Sequence, residues 1–202
     1  VKQAYRLAKK QRKEREAAQA VAPALPENPE DRFRLLTGDI ALVGKEIDEE
    51  SIDWIVTDPP YEREHLPVFE SLGQFAVAKL KPGGSLVCMT DQSYLPEVIA
   101  ILAKHLRYHW TLAYLTSGDQ VAQMRDHKVH SGWKPLLWLT KGDYAGGWIG
   151  DVCRSQINDN DKQFHEWGQS ESGLNDVLRR FTKPNDLVCD PFCGGGSTGA
   201  AA

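Results

Sequence analysis

Ile52-Asp53-Trp54-Ile55-Val56-Thr57 runs directly into Asp58-Pro59-Pro60-Tyr61, and the fold turns on how that junction is read. The mostly apolar run reads as a buried strand. At its carboxyl end stand a carboxylate, two rigid prolines and an aromatic ring. Asp58 can accept a hydrogen bond from an amino group, and Pro59, which fixes the backbone and lacks an N–H, keeps its carbonyl free for a second. Tyr61 offers a flat face. Together they describe a pocket for a planar ring bearing an exocyclic NH2, which is what adenine or cytosine presents once flipped out of its stack. The same four residues also fit a strand followed by a proline-stiffened turn.

A second junction lies near the other end of the chain. Leu187-Val188-Cys189-Asp190 is another short apolar strand, followed by Pro191-Phe192-Cys193-Gly194-Gly195-Gly196-Ser197-Thr198 and the small residues Gly199 to Ala202. Three consecutive glycines at a strand-to-helix turn let the backbone approach a ligand closely, and a helix start favours a negative group. The spacing departs from the dinucleotide G-x-G-x-x-G pattern, and no P-loop lysine follows the glycines, which argues against both NAD and ATP. A plain flexible turn is the alternative.

With both motifs in view, the chain resembles the DNA amino-methyltransferases, S-adenosylmethionine enzymes that methylate adenine N6 or cytosine N4. Asp58-Pro59-Pro60-Tyr61 matches the catalytic motif of that family, and Asp190 to Thr198 matches its cofactor motif, usually D-P-F-x-G-S-G-T-T, with Gly195 and Ser197 as departures. The catalytic motif comes first, as in the circularly permuted beta group. The resemblance covers Phe33 to Ala202. It implies an α/β fold of the S-adenosylmethionine-dependent methyltransferase (Rossmann-like) type, circularly permuted, with a mostly parallel sheet and helices on both faces. It implies that Asp58, Pro59, Pro60 and Tyr61 are catalytic. For the cofactor it implies Asp39 at the adenine of S-adenosylmethionine, Asp190, Pro191, Phe192, Gly194 and Gly196 in the loop, and Gln169 and Ser170 at the carboxylate. The last pair belongs to His165-Glu166-Trp167-Gly168-Gln169-Ser170, which stands where the family has H-P-T-Q-K-P, with Ser170 in place of the lysine. Asp39 also suits a Gly-Asp turn, and Ser170 or Ser172 a helix N-cap. The family's acidic ribose contact has no counterpart before Ala202, so the intact protein is expected to continue.

The rest of the chain fits a sheet covered on both faces. Phe33 to Leu36 reads as a strand, and a short helix fits before Asp53. Pro67 to Lys81 has helical spacing, and Pro82-Gly83-Gly84 is expected to end it. Ser85 to Thr90 reads as a strand, Leu95 to Leu106 as a helix, Tyr108 to Thr116 and Pro135 to Thr140 as strands, Gly173 to Phe181 as a helix, and Asp186 to Asp190 as the strand before the glycine loop. Strands alternating with helices predict a parallel sheet, whose carboxyl ends are where ligands bind.

The 202 residues are 41% hydrophobic and 26% charged, enough for one ordinary globular core. No stretch approaches the roughly 18 to 20 apolar residues of a membrane helix, and a cytoplasmic protein without membrane contact is expected. Four cysteines, Cys88, Cys153, Cys189 and Cys193, form neither a C-x-x-C pair nor a zinc set, so no metal is expected. Seven basic residues against two acidic ones leave Val1 to Glu16 at +5, and with −4 for the whole chain the remainder carries −9. Residues 1–19 are therefore expected to be a basic helical arm, 20–31 a proline-rich linker with Pro23, Pro26 and Pro29, and 32–202 the methyltransferase domain, truncated after the glycine loop. Such an arm suits the tail of an upstream DNA-binding domain, as some phage-type members of the family carry, or a solvated helix face. A homodimer is also open.

An acidic body confines DNA contact to local basic loops. Ser117 to Lys134 is a polar loop carrying Arg125, His127, Lys128 and His130, the residues expected to touch phosphate or bases. The expected activity is methyl transfer from S-adenosylmethionine to adenine N6 of DNA, since D-P-P-Y leans to adenine and S-P-P-Y to cytosine. Cytosine N4, RNA and a catalytically silent binding module are the alternatives.

Overall fold

The computed structural model of the protein describes residues 33–116, 121–155 and 170–202. Residues 1–32, with the basic arm and linker, lie outside the described residues, as does His165 to Gln169. Thr37–Ala202 forms one compact unit.

The strands are β1 (Ile52–Thr57), β2 (Leu80–Met89), β3 (Arg107–Leu115), β4 (Ala122–Met124), β5 (Val129–Ser131), β6 (Lys134–Thr140), β7 (Val152–Arg154) and β8 (Val188–Cys189). The helices are α1 (Ile40–Val43), α2 (Leu66–Lys79), α3 (Leu95–Leu102), α4 (Glu171–Phe181) and α5 (Ser197–Ala201). Six strands form the main sheet in the order β7-β3-β6-β2-β1-β8, and β4 and β5 make a separate hairpin. Parallel pairing joins β1 to β2, β1 to β8 and β3 to β7.

Period-two alternation sorts the strand side chains into two cores. Ile55, Leu86, Cys88, Leu137 and Leu139 face one side with Phe69, Leu72 and Phe75 of α2 and Val98 and Leu102 of α3. Trp54, Val56, Val87, Met89, Leu136 and Trp138 face the other, beneath Leu174, Val177, Leu178 and Phe181 of α4. Each fully buried leucine in these layers contributes roughly 1.5–3 kcal/mol of transfer free energy, and Leu86, Leu136 and Leu137 are wholly enclosed. The central strands are therefore apolar along most of their length, which is why β1 and β6 read as mostly apolar runs, broken by Asp53 and Thr57 in β1 and by Lys134 and Thr140 at the ends of β6.

Several sequence expectations are corrected. Phe33 to Leu36 forms no strand: Phe33 and Leu35 are 68% and 70% exposed, so their alternation has no surface to bury. The sheet is mostly parallel, as expected, with the single exception of β6, which runs antiparallel to both β2 and β3. The hairpin β4–β5 intervenes between β3 and β6 and leaves the chain in position to return antiparallel, a connection that needs no crossover helix. Pro82-Gly83-Gly84 does not end α2. The helix stops at Lys79, and these residues lie inside β2, where the pairing jumps from Ile52↔Leu80 to Trp54↔Ser85. A Cβ on Gly84 would sit 2.9 Å from the Lys81 carbonyl oxygen, so glycine permits this irregularity. α3 stops at Leu102, four residues short, and closes with turn hydrogen bonds from Ala103 N to Ile99 O and Leu106 N to Leu102 O.

Candidate active site

Because β8, β1 and β2 are adjacent and parallel, their carboxyl ends bring three aspartates to one side of the sheet: Asp190, Asp58 and Asp91. Asp58 and Asp190 are legible from their motifs. Asp91 escaped sequence reasoning, although it closely follows an apolar strand, the same signal that marks the other two. It caps the turn before α3, accepting from Ser93 N at 2.6 Å.

Tyr61 folds back on its own motif. Its phenol donates to Asp58 Oδ1, and the Lys134 ammonium lies 5.6 Å from the ring centroid. Burial, followed by the negative charge of Asp58 and the hydrogen bond to it, holds the phenol pKa well above its ordinary value. Tyr61 is therefore a neutral donor at physiological pH. Pro59 is buried and Pro60 exposed, so the prolines lead the chain from the core to the surface within two residues. Lys134 opens β6, whose antiparallel course puts its start beside the end of β2. In the sequence it stands only at the margin of a polar loop.

Asp190 is tied to β1. Thr57 Oγ1 donates to its Oδ1 at 2.7 Å, and the Phe192 N–H donates to the same oxygen at 3.0 Å. Burial raises the carboxyl pKa, while hydrogen bonds from Thr198, Thr57 and the Phe192 backbone pull it down. Beyond Pro191 the loop turns through Gly194 and Gly196, at φ +49° and +82°, and Gly196 N bonds back to Cys193 O at 2.7 Å. A Cβ on Gly196 would meet nothing within 4 Å, so the space beside the loop is open and only the left-handed backbone demands glycine there. Phe192 packs against the core that α2 and α3 share.

Three of the cysteines are unsuited to act as nucleophiles. Cys88 of β2 is buried, and burial together with the charges of Asp58 and Asp190 raises its pKa well above the usual thiol value. Burial pushes Cys153 up to about 11 and Cys189 up to about 12. All three remain thiols at neutral pH.

The other sequence-chosen residues occupy separate places. Asp39 is exposed and caps α1, accepting from Ala41 N at 2.8 Å. Ser170 is buried and caps α4, with its hydroxyl 3.2 Å from Gly173 N and 2.8 Å from Ser155 Oγ; Gln169 lies outside the described residues. Arg125, His127, Lys128 and His130 are all exposed on the β4–β5 hairpin. The expected plain loop is thus a hairpin over these residues, closed by a turn in which Lys128 N donates to Arg125 O at 3.2 Å with Lys128 at φ +54°. Gln92 fastens it to the loop after β2, donating to Ser131 Oγ at 3.0 Å and Trp133 O at 2.9 Å. Among the described residues no three His, Cys, Asp or Glu side chains gather as a metal set, and no helix is long and apolar enough to cross a membrane.

No protein-family model matches the chain. A type II methyltransferase of Bacillus subtilis, M.BglII, is 23% identical over 84% of this chain, and the chain spans 62% of that relative's length. Among solved structures, the cytosine-N4-specific PvuII DNA methyltransferase superposes with a TM-score of 0.68 at 19% identity, covering 82% of this chain and 76% of its own. The M1.HpyAVI–SAM complex gives 0.63 at 17% identity, over 81% of this chain and 84% of its own. A Thermus thermophilus protein complexed with S-adenosyl-L-methionine gives 0.64 at 17% identity, over 84% of this chain and 83% of its own. The mixed sheet with helices on both faces, and the Asp58 strand ahead of the glycine-loop strand, is the α/β fold of S-adenosylmethionine-dependent methyltransferases.

Proposed function

We propose that the protein is a DNA methyltransferase that transfers a methyl group from S-adenosylmethionine to the exocyclic N6 of adenine. The observation that carries this reading is the hydrogen bond from Thr57 to Asp190, which draws the acceptor motif and the glycine loop together at the ends of neighbouring strands. A base and a cofactor held by the two motifs would lie side by side.

The residues fit the cofactor. Gly194 and Gly196 keep the loop backbone open to close approach, and the aspartates at the strand ends complement a positive sulfonium. Asp190, Pro191, Phe192, Gly194 and Gly196 would hold it, with Asp39, Gln169 and Ser170 as further contacts. When bound, S-adenosylmethionine supplies an electrophilic methyl group.

The acceptor side is the work of this chain. The lone pair of an aromatic amine is delocalised into its ring, so the amine is a poor nucleophile. Asp58 and the Pro59 carbonyl accept its two hydrogens and favour a more tetrahedral nitrogen, and Asp58 takes up the proton that nitrogen sheds. Tyr61 stacks on the flipped base. Its phenol leaves the carboxylate further lone pairs, because an ionised aspartate can accept about four hydrogen bonds. Positioning and electrostatics then provide the rate, without a covalent intermediate. Arg125, His127, Lys128 and His130 would meet DNA phosphates or bases from the hairpin.

Cytosine N4 is the second reading, favoured by the likeness to a chain that is cytosine-N4-specific. Incubating the intact protein with DNA and radiolabelled S-adenosylmethionine, then digesting to nucleosides, distinguishes the two. Label in N6-methyladenine is expected. Label in N4-methylcytosine moves the reading to the second, and absence of label from DNA overturns both.

A further inference from the structure

We infer that Thr57 is a positioning residue, the hydroxyl that couples the base-holding end of β1 to the cofactor-holding end of β8. The inference rests on the methyltransferase reading above and assigns a role to a residue outside both motifs.

The paired register of β1 and β8 is short, Trp54↔Val188 and Ile55↔Cys189. The ladder ends there, before Asp58 and before the glycine loop. The Thr57 Oγ1 to Asp190 Oδ1 bond, at 2.7 Å, joins the two chains beyond its last pair. Thr57 is 3% exposed, so solvent has little access to stand in for the hydroxyl. Threonine suits the task because its β-branch leaves few χ1 states, and the central position in the sheet removes most of those. The next residue in the chain is Asp58. A hydroxyl that fixes Thr57 against Asp190 therefore fixes the backbone of the acceptor carboxylate relative to the loop. Reactions that depend on alignment lose about a hundredfold for a displacement of about 1 Å.

The chemistry of Asp190 points the same way. Oδ1 receives two donors, Thr57 and the Phe192 N–H, and Thr198 adds a third hydrogen bond to the carboxylate. Burial opposes ionisation of this carboxylate, and the three donors favour it. Deleting the hydroxyl leaves a buried carboxylate one donor short, which weakens both its charge and its placement.

The test uses the intact protein with Thr57→Val, which keeps the shape of the side chain, and Thr57→Ser, which keeps the hydroxyl. The first readout needs no cofactor: the titration of the Asp190 carboxyl followed by carbon-13 NMR. It is expected to move to higher pH in Thr57→Val and to return toward wild type in Thr57→Ser. The second readout is steady-state methyl transfer. Thr57→Val should raise KM for S-adenosylmethionine about tenfold, as expected for losing one hydrogen bond to a charged group, and lower kcat, while Thr57→Ser recovers most of both. An unchanged Asp190 titration and unchanged constants in Thr57→Val overturn the inference. If wild type transfers no methyl group while the titration shifts in Thr57→Val and recovers in Thr57→Ser, the methyltransferase reading fails and the coupling of Thr57 to Asp190 stands.

Discussion

The carboxyl end of β1 and the β4–β5 hairpin stand on the same side of the sheet, yet the fold holds them by different means. Asp58 follows a strand buried on both faces, its partner Tyr61 is bonded to it, and the preceding Thr57 is bonded to Asp190. The hairpin is a two-stranded ribbon with Arg125, His127, Lys128 and His130 all exposed, held to the body through Gln92. An isolated two-stranded ribbon is marginal in water, so that attachment matters. The groups proposed to perform chemistry are fixed by the core, whereas those proposed to contact DNA are displayed on a small appendage.

The largest expected effect tests the core-held side. Asp58→Ala should reduce methyl transfer by on the order of a hundredfold or more, the scale for removing one preorganised electrostatic partner, with circular dichroism unchanged. Transfer at the wild-type rate in a folded variant would remove Asp58 from the proposed mechanism and erase the contrast with the hairpin.

A smaller effect is expected on the displayed side. Arg125→Ala with Lys128→Ala should weaken DNA binding and flatten its salt dependence, by a slope of about 0.9 for each phosphate that the variant no longer neutralises, while kcat at saturating DNA stays near wild type. A salt slope equal to that of wild type would show that the hairpin does not carry DNA contacts. A collapse of kcat would place the hairpin with the chemistry and blur the comparison.

The smallest effect is on stability. Burial raises the Asp190 carboxyl pKa above its ordinary value, so between the unfolded and folded pKa values the native state binds more protons than the unfolded one. Stability contributed by this group is present at low pH and falls as pH rises through that window. Asp190→Asn retains an acceptor oxygen for Thr57 and Phe192 N and cannot ionise. Its unfolding free energy, from urea titrations at a series of pH values, should lack that decline. A decline as steep as in wild type would mean that Asp190 is not the group responsible.

Much of the candidate site is readable before the fold because each motif ends an apolar run, and a polar residue at that point must face the rim of a sheet. Asp58, Tyr61 and the glycine loop are found in this way, and Asp91 carries the same signal unnoticed. Lys134 and Gln92 give no such sign. They reach the site only because β6 returns antiparallel beside β2 and because the hairpin leans on the loop after β2. Thr57 looks like one more core residue at the end of β1. Its hydroxyl acquires a role only when Asp190, far away in the chain, is brought within 2.7 Å.

Local sequence determined where the apolar strands and helices lie and which polar residues end them, since those follow from the spacing of apolar side chains and from proline and glycine at the breaks. It also pointed to the motif proposed to hold the base, because a carboxylate, two prolines and a tyrosine need no distant partner to describe a pocket. The order of the strands, the reversed direction of β6, the failure of Phe33 to Leu36 to form a strand and the junction of Thr57 with Asp190 were decided by tertiary structure. Each depends on which surfaces are available to be buried or bonded across the sheet, and that information resides in pairs of residues far apart in the chain.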